Sequence, residues 1–170
     1  NESDPVAVRG PLATRYVQQF LRNVAWGDVD FLILDLPPGT GDIQLTIVQT
    51  AELDGVVVVT TPQEVALIDA RKAIGLFERV ETPILGVIEN MSYFQCPSDG
   101  KIYHIFGEGG GEREAAKLGV PLLGKIPLDI ATRSGGDEGR PVALEDPEKN
   151  PVSAAFRQVA EQCARVVLDR

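Results

Sequence analysis

The chain carries short runs that are apolar at consecutive positions, Phe31-Leu32-Ile33-Leu34, Val56 to Val59 and Ile84 to Ile88. A strand with one wet face alternates apolar and polar residues, and a strand covered on both faces does not. Such runs therefore predict parallel strands inside a sheet layered with helices. Segments of helical spacing lie between them. After Gly10-Pro11, which puts proline in a first turn, Leu12, Tyr16, Phe20 and Val24 share a face until Trp26-Gly27 stops the helix. Asp42 is expected to cap a second helix that carries Ile43, Ile47 and Val48 and closes at Asp54-Gly55. Thr61-Pro62-Gln63-Glu64 has the form of a capping box, and Ala66, Ala70, Ala73, Phe77 and Val80 then share a face of a helix ending near Thr82-Pro83. Beyond a glycine-rich segment, a short helix over 112–118 ends at Gly119, before a fourth strand-like piece from Val120 to Gly124.

This order predicts an α/β fold: a doubly wound, mainly parallel sheet whose ligands collect at the carboxyl ends of the strands. Those ends carry Asp35, Thr60-Thr61, Asn90 and Ile126-Pro127. With 170 residues, 44% hydrophobic and no dividing linker, the chain reads as a single domain over 1–170. Its net charge of −9 argues against nucleic acid and anionic membranes as partners, because both are bound through cationic patches. A last helix with Val152, Phe156, Val159, Cys163 and Val166 on one stripe reads as a docking helix. The acidic Glu161 and Asp169 among its arginines do not suit a membrane surface. The start Asn1-Glu2-Ser3-Asp4-Pro5 is unlike a secretion signal, and two widely spaced cysteines fit a reducing cytoplasm.

An apolar strand ending in Asp35 is what a Walker B element requires, since a rigid strand then delivers one carboxylate to the magnesium shell at a nucleotide's phosphates. Pro37-Pro38 stiffens the following turn, while Gly39 and Gly41 permit close backbone approach to an anion near a helix start. The segments RGPLATRYVQQFL, WGDVDFLILDLPPGTGDIQLT, TTPQEVALIDARKAI, GVIENMSYFQCP, HIFGEGGG and LGVPLLGKIPLD together resemble the Mrp/ApbC family of P-loop ATPases, implicated in carrying or assembling iron–sulfur clusters. The resemblance implies ATP and Mg2+ as ligands, a homodimer, and an iron–sulfur donor or apo-protein client. It makes Asp35 the Walker B carboxylate, linked indirectly to magnesium, and makes the stretch Pro37, Pro38, Gly39, Thr40, Gly41 and Asp42 the switch that senses the γ-phosphate. Asn90 would read the adenine edge, with Ile126-Pro127-Leu128-Asp129 as a second base-side loop; Asn90 alternatively closes a turn.

Two departures from the family pattern stand out. No G-x-x-x-x-G-K-[ST] element occurs, so the chain reads as the C-terminal part of a P-loop domain, holding part of an ATP site and expected to be inactive alone. The family's Cys-Pro-x-Cys is here Cys96-Pro97-Ser98-Asp99, so a hard carboxylate stands where a second thiolate would help hold an iron–sulfur cluster. Either Cys96 ligates such a cluster, or Ser98-Asp99-Gly100 forms a hairpin turn between Tyr93-Phe94 and Ile102-Tyr103 with Cys96 a lone thiol. His104 is expected to decorate that hairpin, Cys163 to pack in the core, and Gly109-Gly110-Gly111 to be a flexible loop. The reading that results is an ATP-binding iron–sulfur carrier. A MinD/ParA-like positioning ATPase and a non-catalytic dimerising scaffold are the alternatives.

Overall fold

A computed structural model describes residues 10–37 and 41–169. They divide into two compact units between Leu53 and Asp54.

The first unit contains α1 (Gly10–Asn23), a connecting stretch with neither helix nor strand among its described residues, and α2 (Asp42–Thr50), with the two helices against each other. The expected stripe Leu12, Tyr16, Phe20 and Val24 lies largely open, and Val17 and Leu21 are the more covered apolar residues of α1. Residues 31–34 do not form the expected strand. They make no ladder, and Ile33 is 88% exposed. An apolar run is a strand only where another strand satisfies its backbone, so residue preference alone does not produce one. The N-cap of α2 is Gly41 rather than Asp42, and the helix closes at Ala51, earlier than Asp54-Gly55.

In the second unit the elements are β1 (Val56–Thr60), α3 (Glu64–Arg79), β2 (Ile84–Glu89), β3 (Phe94–Gln95), β4 (Ile102–Tyr103), α4 (Gly110–Leu118), β5 (Leu122–Lys125), α5 (Ile130–Asp137), a 3-10 turn over Val142–Leu144 and α6 (Pro151–Leu168). Strands β1, β2 and β5 form a parallel sheet in that order, and β3 and β4 form a separate antiparallel hairpin. Val87, opposite Leu122, joins Val58, Ile74 and Ala115 in a core between the sheet, α3 and α4. The register then shifts, so that Ile88 pairs with Gly124, and α6 lies on this side. A Cβ on Gly124 would stand 2.5 Å from Val159 Cγ2, so α6 seats only because that strand position has no side chain. The sheet is thus covered on both faces at β2 and β5, whereas Val59 of β1 is 59% exposed.

Several boundaries differ from those the sequence suggested. The fourth strand starts at Leu122, not Val120. Helix α3 is capped by Gln63, so the Thr61 capping box does not form, and the Thr61 hydroxyl is buried without a partner among the described residues. Gly110 lies against the Pro62 backbone, where a Cβ would stand 2.3 Å from the Pro62 carbonyl oxygen. Of the expected face of α3, Phe77 is buried and Ala70 packs against the core, but the most buried positions also include Leu67 and Ile74, which the alanine-led spacing left out. Gly110 and Gly111 are no flexible loop but the buried first turn of α4, with Gly109 in the left-handed region as its cap. Gly119 ends that helix as expected, and α5, which has no apolar stripe in the sequence, starts on the Asp129 carboxylate, the acceptor for Thr132 N at 2.7 Å. Among the described residues no helix is long and apolar enough to cross a membrane.

Candidate functional site

The carboxyl ends of β1, β2 and β5 converge on one turn, 89–92. Asn90 N donates to Thr60 O at 2.7 Å, Ile126 N to Glu89 O at 2.9 Å, and Ser92 N to Ile126 O at 3.0 Å. Asn90 and the residue before Pro127 are therefore bracketed at the same sheet edge, as the sequence suggested. The turn places Met91 in the left-handed region at φ 51, rare for a side chain of that size. Asn90 does help close it, because its Oδ1 accepts from Met91 N at 2.9 Å. Its Nδ2 has no partner among the described residues and remains half-exposed. Turn closing and ligand reading are thus compatible roles, one for each end of the amide.

Beneath this turn lies a group that sequence reasoning missed. Glu89, fully buried, accepts from the Ser92 hydroxyl through Oε1 and from Gly111 N, at 2.7 Å, through Oε2. A buried carboxylate needs such donors, and the first turn of a helix supplies both a free amide and a favourable dipole. The signal was present as a charged residue directly after an apolar strand, but its partner lies twenty-two residues away.

The hairpin carrying Cys96 forms. Phe94 faces Tyr103, Cys96 N donates to Lys101 O at 2.8 Å, and Asp99 Oδ1 accepts from Lys101 N at 3.0 Å. That amide holds the Asp99 carboxyl below its ordinary range. The Cys96 sulfur lies 3.1 Å from the Ser98 hydroxyl, a contact that lowers the thiol pKa and favours thiolate. Cys96 is only partly covered, and with Tyr93, Pro127, Asp129 and Pro151 it lines a groove of about 280 Å3, so the structure brings the thiol and Pro127 together. His104 follows the hairpin, its Nδ1 3.4 Å from Ser92 O and its Nε2 3.7 Å from Glu108. Cys163 is half-buried on α6, and burial pushes its thiol up. Among the described residues no three His, Cys, Asp or Glu side chains gather as a metal cage.

In the first unit, Asp35 lies in the stretch between the helices as an exposed carboxylate. The Pro37 carbonyl accepts from Gln44 Nε2 at 2.6 Å, and Gln44 is buried on α2, a second contact that the sequence did not reveal. Gly41 and the backbone of Asp42 open α2, and Gly41 has no side chain to occupy its first amides. Pro38, Gly39 and Thr40 lie outside the described residues.

A helix-covered parallel sheet with polar side chains gathered at its strand ends places the chain in the α/β class of P-loop NTPases. Residues 1–164 match the family described as ParA: NUBPL iron-transfer P-loop NTPase, and the chain belongs to that family, which bears out the resemblance drawn from its motifs. An iron–sulfur cluster carrier protein of Pyrococcus horikoshii is 50% identical over 161 residues, 95% of this chain and 54% of that protein. One from Deinococcus radiodurans is 52% identical over 158 residues, 92% of this chain and 44% of that protein. The chain spans about half the length of the curated relatives it matches. Among solved structures, a nucleotide-binding protein of Archaeoglobus fulgidus in complex with ADP is similar at TM-score 0.69 and 43% identity, over 76% of this chain and 53% of that one. The cell division ATPase MinD of Pyrococcus furiosus is similar at TM-score 0.64 and 26% identity, over 90% of this chain and 59% of that one.

Proposed function

We propose that the complete protein is a cytoplasmic, dimeric, MgATP-dependent carrier that hands iron–sulfur clusters to an apo-protein client, and that this chain supplies the base side of its nucleotide site and the thiol that touches the cargo. The observation that carries the reading is the turn 89–92, which offers a free amide donor at the strand-end edge and runs directly into the hairpin of Cys96. Asn90 and Pro127 would contact the base, while Asp35 and the stretch Pro37, Pro38, Gly39, Thr40, Gly41 and Asp42 would serve the phosphates. Magnesium typically takes one or two protein carboxylates and completes its shell with phosphates and water, so a single exposed Asp35 suits it. When bound it would neutralise charge on the phosphates, and Asp35 would orient it through its shell. In this reading the chain belongs to one P-loop domain, as its sequence suggests.

The cargo reading is shaped by the donor set. The single thiol of the hairpin, Cys96, with Asp99 already accepting from Lys101 N, cannot enclose a cluster that needs about four ligands. Two copies related by a two-fold axis would bring two sulfurs together, and an outside thiol would complete the set, which favours loose carriage over permanent holding. The positioning-ATPase alternative lacks such support, because Cys96 has no role in it. The test is anaerobic reconstitution of the complete protein. A labile chromophore at no more than one cluster per dimer is expected, lost in Cys96→Ser and kept in Cys163→Ser, while Asp35→Asn retains nucleotide but loses magnesium-dependent hydrolysis. Equal iron and sulfide in Cys96→Ser and the parent would overturn the carrier role, and unchanged hydrolysis in Asp35→Asn would overturn the role of Asp35.

A further inference from the structure

We propose that Glu89 is the positioning residue of the base-reading turn: its buried carboxylate fixes which end of the Asn90 amide faces the nucleotide, and so makes the site select adenine over guanine. The inference rests on the reading of Asn90 as the base contact and deepens it. It begins with a buried carboxylate whose two oxygens bind two different segments, Ser92 on the far side of the turn and Gly111 at the start of α4. A turn that puts a methionine at positive φ is strained and persists only where its surroundings hold it. Here the holding contacts are Glu89 to Ser92 and Ser92 N to Ile126 O.

The consequence reaches the Asn90 side chain through Met91. With Met91 held in the left-handed region, its N–H meets Asn90 at 2.9 Å, and only the carbonyl oxygen of an amide can accept from an N–H. Oδ1 is thereby turned inward and Nδ2 is left as the donor. A fixed donor distinguishes purines, because N1 of adenine is an acceptor whereas N1 of guanine carries a hydrogen. An amide free to turn over would satisfy either base. Selectivity therefore depends on the clamp under the turn as well as on the presence of asparagine.

The substitutions separate hydrogen bonding from size. Glu89→Gln keeps both contacts, since its carbonyl accepts from Gly111 N and its NH2 donates to a Ser92 hydroxyl that reverses. Glu89→Ala and Ser92→Ala each break the tie to the turn, and the serine variant leaves the Gly111 contact intact. Dissociation constants for magnesium-bound ATP and GTP are measured by calorimetry on the complete protein, with thermal midpoints alongside. Glu89→Gln is expected to retain the parent ratio of GTP to ATP constants, whereas Ser92→Ala and Glu89→Ala narrow it by about three- to tenfold, the range of one hydrogen bond. A purely structural role would instead weaken both nucleotides together and lower the midpoint without moving the ratio. If Glu89→Ala does not fold, Ser92→Ala decides alone. A parent ratio preserved in Ser92→Ala, while Asn90→Ala collapses it, overturns the role of Glu89 and leaves base reading by Asn90 standing. A parent without preference for ATP, or a ratio unchanged in Asn90→Ala, overturns both.

Discussion

Glu114 on α4 is 4% exposed and accepts from Arg71 of α3 through both oxygens, at 2.9 Å from Nε and 2.6 Å from Nη2, with Lys117 Nζ at 2.8 Å. Arg71 also reaches Glu64 at 2.7 Å, so one guanidinium ties the first turn of α3 to the middle of α4. The Arg71 hydrogen bonds, reinforced by Lys117 and opposed by burial, hold the Glu114 carboxyl at about 2, against an ordinary 4.5. That gap would correspond to roughly 3 kcal/mol of pH-dependent stability. The Arg71 side chain is 39% exposed and Lys117 62%, so solvent screening reduces the figure to about 1–2 kcal/mol. Because the folded pKa is depressed, this stability is complete above pH 4.5 and disappears as pH falls through 2, with more than half lost by pH 3. Glu114→Gln keeps the shape but sets an amide donor against a guanidinium donor. In urea unfolding followed by circular dichroism, the variant should be about 1–2 kcal/mol less stable than the parent at pH 7. The difference should hold steady down to pH 5 and shrink from there to pH 3. Equal stability at pH 7, or a deficit as large at pH 3 as at pH 7, would refute the argument.

Gly110→Ala should cost about 1–3 kcal/mol in the same assay, since its Cβ would meet Pro62 backbone at 2.3 Å, whereas Gly136→Ala, with open space around the added carbon inside α5, should be neutral or stabilising. A cost equal at both sites would show that helix preference, not the seat on Pro62, governs Gly110. Alkylation near pH 7.5 should modify Cys96 first and Cys163 only as denaturant opens α6, with Ser98→Ala slowing Cys96 by removing the contact that favours its thiolate. Simultaneous modification of both cysteines in the native protein would contradict these environments.

The sequence by itself determined the elements whose information is local or periodic. The runs Val56 to Val59 and Ile84 to Ile88 form parallel strands, as consecutive apolar residues suggest, with the second covered on both faces and Val59 of the first left exposed. The α6 stripe of Val152, Phe156, Val159 and Cys163 keeps its spacing, Gly119 ends α4, and the hairpin closes on Ser98-Asp99-Gly100. Asn90 and Pro127 could be placed at one edge because strand ends collect there in any parallel sheet. Tertiary structure decided what depends on a partner distant along the chain. Residues 31–34 have the composition of a strand and no ladder, since a strand is a relation between two segments. Gly109-Gly110-Gly111 has the composition of a loop, yet two of its glycines are buried because Pro62 and Glu89 occupy the space that side chains would need. Glu89 looks like an error at the end of an apolar strand until folding brings Gly111 N to its Oε2. Periodicity records which face of an element is buried, but a buried charge is tolerated only where particular donors meet it, and the three-dimensional path of the chain sets their positions.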